Sequence, residues 1–294
     1  MKITGLMLCR NESWCIGFSL RVALQWCDEV VVLDHASTDD TKDIVAGVAD
    51  EGGRVDYAYE SDPIWHEMDY RQRLLDYGRK FGATHLAMID ADEAITANAV
   101  ASMRDRVAAL QPGRVGYVQT ISCWRGFDRH RKDWGRRPIS VAVADAPELA
   151  WKPDATGYQH HHREPYGAKP PYVNLGVDEG GCFHLQWANW ERLIWKQRRY
   201  ILHERLMYPS IHPKQINERY RHSTSEACLT TEAVPPEWWD YAGDVTRHLH
   251  NERAGWYKEE AIRLARQLGA KDLEGLDFWG ITAEDLLSKN EEAS

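Results

Sequence analysis

At 294 residues, 43% of them apolar, the chain is long enough for one large domain or one domain with an appendage, and it can bury a sizeable core. A formal net charge of −9 argues against a dedicated nucleic-acid binder held by phosphate contacts alone. None of the six cysteines forms a C-x-x-C pair, no stretch approaches the length of a transmembrane helix, and Met1 to Leu8 is too short for a signal-peptide core. The expectation is a soluble, cytoplasmic protein with reduced, buried thiols. Thirteen Trp and thirteen Tyr stand against five Phe. Flat amphipathic rings suit sugar or base faces, although Trp is also ordinary core material.

Lys2 to Leu8 reads as a first strand, broken by the polar Cys9-Arg10-Asn11-Glu12. Ile16, Leu20, Ala23, Leu24 and Cys27 recur at helical spacing. Val30 to Leu33 is a buried strand ending on Asp34, and Thr38-Asp39-Asp40-Thr41 provides a hydroxyl cap and acids for a helix start. Gly52-Gly53 breaks the chain before a strand over Arg54 to Tyr59. Met68, Leu75, Gly78 and Phe81 share a helix face on an element that also carries Arg71 and Arg73. Leu86-Ala87-Met88-Ile89 is an apolar run that meets Asp90-Ala91-Asp92-Glu93, and a helix follows from Ala97 to Leu110. The β-α-β-α-β-α-β-α order implies an α/β fold with a mostly parallel sheet flanked by helices. No G-x-G-x-x-G follows the first strand, so a dinucleotide-binding domain of the usual kind is not expected.

Past Gly116 the pattern changes. Tyr117 to Ser122 and Ser140 to Val143 read as strands, and between them Cys123 to Arg137 carries six Arg or Lys against two Asp, with Trp124, Phe127 and Trp134 at intervals. A Gly/Pro-punctuated stretch includes His160-His161-His162-Arg163-Glu164, and Gly180-Gly181-Cys182-Phe183-His184 follows. Trp187, Trp190, Ile194 and Ile201 mark a long helix of mixed charge. Beyond Pro209 the chain is polar as far as Pro235-Pro236, and Trp256 to Leu268 is a helical tail. Three segments are expected: a ligand-binding half over 1–115, a second half of the same domain over 116–208, and a mainly helical carboxyl-terminal extension over 209–294.

The acids mark the site. Asp90 and Asp92 fall at the carboxyl end of a strand, where open α/β sheets bind ligands, and an extended chain would point both the same way. Two converging carboxylates call for a cation between them, and hard oxygen ligands suit Mn²⁺ or Mg²⁺ held together with substrate phosphates. Strand, Cys9-Arg10-Asn11-Glu12, strand, Asp34-His35-Ala36-Ser37-Thr38-Asp39-Asp40-Thr41, then Asp90-Ala91-Asp92-Glu93 resembles the nucleotide-sugar-dependent glycosyltransferases of family 2, with the GT-A fold, over roughly the first 115 residues. That resemblance implies donor contacts from Arg10, Glu12, Asp34, Ser37, Arg71, Asp90 and Ala91. It also implies Asp92 as metal ligand and, from the His after a small-apolar segment, His184 as a second. The His160 to His162 run is the rival for that place, or an independent zinc or iron site.

The resemblance further implies inversion by one direct displacement from a nucleoside-diphosphate sugar, UDP foremost, onto an acceptor hydroxyl. A carboxylate takes the proton, and Glu164, Asp178 and Glu179 are the candidates, because the more common "E-D" pattern is missing. In the basic loop, Trp124, Arg125, Arg129 and Trp134 are candidate acceptor-binding residues for something anionic: a phosphorylated or lipid-linked saccharide, or modified nucleic acid. Two other classes stay open. A nucleotidyltransferase would usually carry a Gly-rich basic loop after the first strand. A non-catalytic nucleotide- or sugar-binding protein would show binding without turnover.

Overall fold

The computed structural model describes residues 1–62, 64–133, 137–152, 163–175, 180–250 and 255–288. Alternation along two buried strands sets the layers. In β1 (Ile3–Cys9), Ile3, Met7 and Cys9 serve one face, and Leu6 and Leu8 the other. In β2 (Glu29–His35), Val30 and Val32 join the first face, and Val31 and Leu33 the second. Helix α1 (Ile16–Ala23) covers the first face with Ile16, Phe18 and Leu20. Because the opposite face is covered too, each strand reads as an unbroken apolar run rather than an alternating one. Helix α2 (Thr41–Asp50) leads to β3 (Val55–Glu60), and α3 (Glu67–Lys80) covers the second face with Met68, Leu74 and Leu75 before β4 (His85–Met88).

These four strands are parallel in the order β3-β2-β1-β4. The chain steps outward from β1 to β3, then returns to lay β4 on the other side of β1. The carboxyl ends of β1 and β4 therefore flank the point where the winding reverses, which is where a crevice opens in sheets of this kind.

Beyond β4 come β5 (Glu93–Ile95), α4 (Ala97–Ala108), β6 (Arg114–Ser122), β7 (Arg129–Arg131), β8 (Pro138–Ala144), β9 (Lys169–Asn174) and β10 (Cys182–His184). β8 joins β4 and β6 antiparallel. β9 and β10 lie parallel to successive parts of β6, and β5 closes antiparallel on β10. That last pairing brings the acidic turn before β5 beside His184, since His184 faces Glu93 in the register.

The carboxyl-terminal part holds α5 (Trp190–Met207), α6 (Pro213–Thr224), β11 (Thr231–Ala233), α7 (Gly255–Leu268), α8 (Ala270–Leu273) and α9 (Ala283–Ser288). Trp195, Ile201 and Leu202 of α5 form an apolar cluster with Ile216 and Tyr220 of α6, Ala261 and Ile262 of α7, and Leu286 of α9. Between α6 and α7 the chain returns to the sheet. Trp239 stacks on Phe183 at 4.1 Å, and the Tyr241 hydroxyl donates to Ile95 O at 2.7 Å. All six cysteines are free, five of them buried and Cys228 exposed. No helix among the described residues is long and apolar enough to cross a membrane.

Several sequence expectations need correction. The strand expected over Leu86 to Ile89 stops at Met88, and Asp90 to Asp92 form a turn in which Glu93 N–H donates to Asp90 O at 3.0 Å. Helix α2 begins at Thr41 rather than at Thr38, because Thr38 N–H is drawn to Asn11 Oδ1 at 2.6 Å. The helix expected from Trp187 starts at Trp190, where Asn189 Oδ1 caps Arg192 N–H at 3.0 Å. The polar stretch after Pro209 contains α6, for which Pro213 at the first turn is the start signal and Ile216 and Tyr220 are the buried face.

Candidate active site

The loops after β1 and β2 are sewn together by the residues that made them recognisable. Asn11 adopts a left-handed φ of 53°, a conformation Asn tolerates better than most residues. Its Oδ1 accepts from Thr38 N–H and Asp39 N–H at 2.6 and 3.2 Å, and its own N–H donates to Ser37 Oγ at 2.8 Å. Glu12 N–H donates to Thr41 Oγ1 at 2.9 Å, and Ser13 N–H to Asp39 Oδ2 at 3.1 Å. Asp34 is fully buried and accepts from Ser37 N–H at 2.9 Å and from the Tyr57 hydroxyl at 2.7 Å. Asp34 and Ser37 thus brace the loops and do not line the cleft described below.

The acidic turn is held from beneath by Arg163, a residue the sequence reading did not single out. Its guanidinium donates to Glu93, to Asp90 Oδ2 at 3.0 Å, to Met88 O and to Ser140 O at 2.7 Å. Burial opposes the charge on Asp90, but Arg163 and Arg71 outweigh it and hold the carboxyl below its ordinary range. Arg71 also pairs with Glu67 at 2.8 Å. The Ala91 carbonyl accepts from the Cys15 thiol at 3.2 Å, and Ala91 is itself buried.

Asp92 is buried, and its Oδ2 accepts no hydrogen bond. Two cationic or basic groups stand just outside bonding range: Lys196 Nζ at 3.6 Å and His184 Nε2 at 3.7 Å. Burial would raise the Asp92 pKa, but Lys196 and His184 override it and hold the carboxyl far below its usual range. Reciprocally, Asp92 raises the His184 pKa against the effect of burial. Gly180 and Gly181 allow this approach. A Cβ on Gly181, at φ +150°, would lie 2.1 Å from Gln119 O, so only glycine lets the chain enter β10 there. An orphaned carboxylate oxygen beside an imidazole fits a divalent cation such as Mn²⁺ or Mg²⁺. Among the described residues no three His, Cys, Asp or Glu side chains converge, and of these residues Asp92 and His184 could hold such a cation, with substrate oxygens or water beside them.

A cleft with about 180 Å³ of interior space, open to solvent, lies over this turn. Arg10, Glu12, Arg71, Asp90, Ala91 and Asp92, all expected at a donor site, line it. The opposite wall was not foreseen: Lys196, Arg199 and Tyr200 from α5, and Trp256 and Tyr257 from α7. The available signal was the spacing of Arg192, Lys196, Arg199 and His203, which puts four basic residues on one stripe of a helix. Arg192 anchors that stripe to the first loop. It donates to Glu12 Oε2 at 2.6 Å, between the rings of Trp14 and Tyr257, each 4.8 Å away.

Glu164 accepts from the Tyr117 hydroxyl and does not line the cleft. Asp178, Glu179, Trp134 and His160 to His162 lie outside the described residues. In the basic loop, Trp124 is buried edge-on against Trp190, and Arg131 sits 4.5 Å over its ring. Arg125 pairs with Glu226 at 2.7 Å, Arg129 donates to Thr231 Oγ1 at 2.8 Å, and β7 pairs with β11. Arg125, Arg129, Arg131 and Lys132 therefore fasten the carboxyl-terminal segment.

No family model matches the chain, and no curated protein matches it. Solved structures do align with it. TarS from S. aureus (residues 1–349) aligns over 94% of this chain and 83% of that one, with TM-score 0.43 and 10% identity. The mannosyltransferase PcManGT from Pyrobaculum calidifontis, solved with GDP-Man and Mn²⁺, aligns over 92% and 76%, with TM-score 0.40 and 13% identity. Glucosyl-3-phosphoglycerate synthase from Mycobacterium tuberculosis, solved with Mn²⁺, UDP and phosphoglyceric acid, aligns over 42% and 44%, with TM-score 0.27 and 22% identity.

Proposed function

We propose that the protein is a metal-dependent glycosyltransferase that moves a hexosyl or pentosyl group from a nucleoside-diphosphate sugar, UDP foremost, to a hydroxyl of a saccharide or lipid-linked saccharide. The observation that carries this reading is the unsatisfied Asp92 Oδ2 beside His184, on the floor of a cleft at the switch point of the sheet. The order of the three loop motifs supports it, since they resemble the donor site of family 2 enzymes, and residues of the first and third line the cleft. A divalent cation on Asp92 and His184 would neutralise the departing diphosphate.

In this reading Arg10 and Arg71 face the donor across the cleft, and Asp90 takes the ribose side. The acceptor oxygen attacks the anomeric carbon as the bond from that carbon to the diphosphate breaks. The nucleoside diphosphate leaves, the anomeric centre inverts, and the hydroxyl proton passes to a carboxylate. Asp178 and Glu179 are the proposed bases, because Glu164 faces Tyr117 instead of the cleft. A nucleic-acid acceptor finds no support, since Arg125, Arg129 and Arg131 are engaged within the protein.

The test is a screen of UDP-, GDP-, ADP- and CMP-sugars with Mn²⁺ for slow release of free nucleotide, run beside Asp92→Ala. Metal-dependent release from one donor, lost in the variant, is the expected result. Nucleotide binding with no release on any acceptor would turn the reading to a non-catalytic binding protein. No binding and no release, with metal present, would refute the donor site altogether.

A further inference from the structure

We infer that Lys196 and Arg199 of α5, with Arg10 at the end of β1, form a phosphate-binding subsite that holds the donor's diphosphate without needing a divalent cation. The inference rests on the nucleotide-sugar reading and adds a second, protein-borne source of positive charge to it.

The argument begins with the helix. Spacings of four and three residues place Arg192, Lys196 and Arg199 on one stripe, and all three are more than nine-tenths buried. A buried cation ordinarily has a carboxylate beside it. Arg192 has one in Glu12 at 2.6 Å. Lys196 has Asp92 at 3.6 Å, beyond hydrogen-bonding distance. Arg199 forms no ion pair among the described residues, and its Nε is buried with no hydrogen-bond partner. Its guanidinium rests 5.7 Å from the rings of Tyr200 and Trp256 and lines the cleft. Arg10 comes from the other wall, its guanidinium 4.9 Å over the Trp256 ring. Burial, and then the charge of Arg199, lower the Arg10 pKa, and Glu260 only partly offsets them.

Arg10 and Arg199 repel each other across the cleft that Lys196 also lines. An anion among them removes the repulsion and supplies the missing hydrogen-bond acceptor. The guanidinium fork fits a phosphate with two parallel bonds, and the ammonium adds a point charge. Trp256 and Tyr257 would exclude water from the far side. A diphosphate spans two such contacts, whereas a carboxylate would use only one.

The probe is inorganic pyrophosphate, titrated calorimetrically into the full-length protein in EDTA, with UDP and GDP as further ligands. Wild type should bind pyrophosphate without metal. Arg199→Gln and Lys196→Gln should each weaken it by about 10- to 100-fold, the loss expected for a charge-assisted hydrogen bond. Arg199→Lys, which keeps the charge but loses the fork, should recover part of that loss, and a thermal melt of each variant checks that it folds.

No pyrophosphate binding by wild type in EDTA, or undiminished binding by the folded variants, would overturn the subsite. Metal-dependent release of nucleotide would then still stand, so the transferase reading would survive. Pyrophosphate binding that follows Lys196 and Arg199, with no nucleotide released from any donor, would instead uphold the subsite and sink the transferase reading.

Discussion

Glu12 is the residue on which the carboxyl-terminal helices are hung, and its removal gives the sharpest test of the fold. Its Oε2 accepts from Arg192 Nη2 and from the Trp14 indole N–H, both at 2.6 Å, in a space where all three side chains are buried. Glu12→Gln keeps the shape and removes the charge, leaving the Arg192 guanidinium buried without a counter-ion. Breaking a buried pair from one side costs about 3–5 kcal/mol. In a chain of this size that corresponds to a fall of roughly 5–8 °C in Tm. The assay is urea unfolding followed by Trp fluorescence, with the melt as a second probe. The double variant Glu12→Leu with Arg192→Met should recover most of the loss, because neither partner is then a buried orphan. A loss under about 1 kcal/mol in the single variant, or a double variant as unstable as the two singles added, would refute the reasoning.

Gly181→Ala forces a Cβ to 2.1 Å from Gln119 O at a φ that side chains rarely adopt; a loss of about 2–4 kcal/mol in urea unfolding is expected. Arg163→Met leaves Glu93 buried beside Asp90 with no cation and should cost about 3–5 kcal/mol, much of which Glu93→Gln in the same chain should return; unchanged stability in the double relative to the single variant would count against it. Burial, and then the charge of Arg10, push the His35 pKa down to about 4, and its Nε2 meets the Asp62 carbonyl at 2.8 Å. The folded protein therefore binds fewer protons than the unfolded chain between pH 6.5 and 4. This contribution is complete above pH 6.5 and is lost as the pH falls through that window. His35→Gln should flatten the pH dependence of unfolding there by about 3 kcal/mol, since the ring is fully buried, and an unchanged slope would contradict the assignment.

The sequence by itself determined the parallel half of the sheet. Val30 to Leu33 and Leu86 to Met88 are strands because both faces are covered, and a strand buried on two sides must be apolar at every position. It also determined the three motif loops, since their residues bond to one another across short distances: Asn11 to Thr38, Glu12 to Thr41, Asp34 to Ser37. Such local chemistry leaves a mark in the order of residues.

Tertiary structure alone decided the rest. That Asp34 is a brace rather than a cleft wall depends on Tyr57, which reaches it from the neighbouring strand. That the acidic turn is locked by Arg163 depends on a partner some seventy residues away. That Arg125 and Arg129 of the basic loop, candidates for acceptor binding in the sequence, hold the carboxyl-terminal segment depends on β11 lying beside β7. Most of all, the basic stripe of α5 is legible as a stripe but not as a cleft wall, because what it faces is set by Glu12, 180 residues earlier, which holds Arg192. Periodicity reports which face of a helix is buried, and long-range ion pairs decide what that face is buried against.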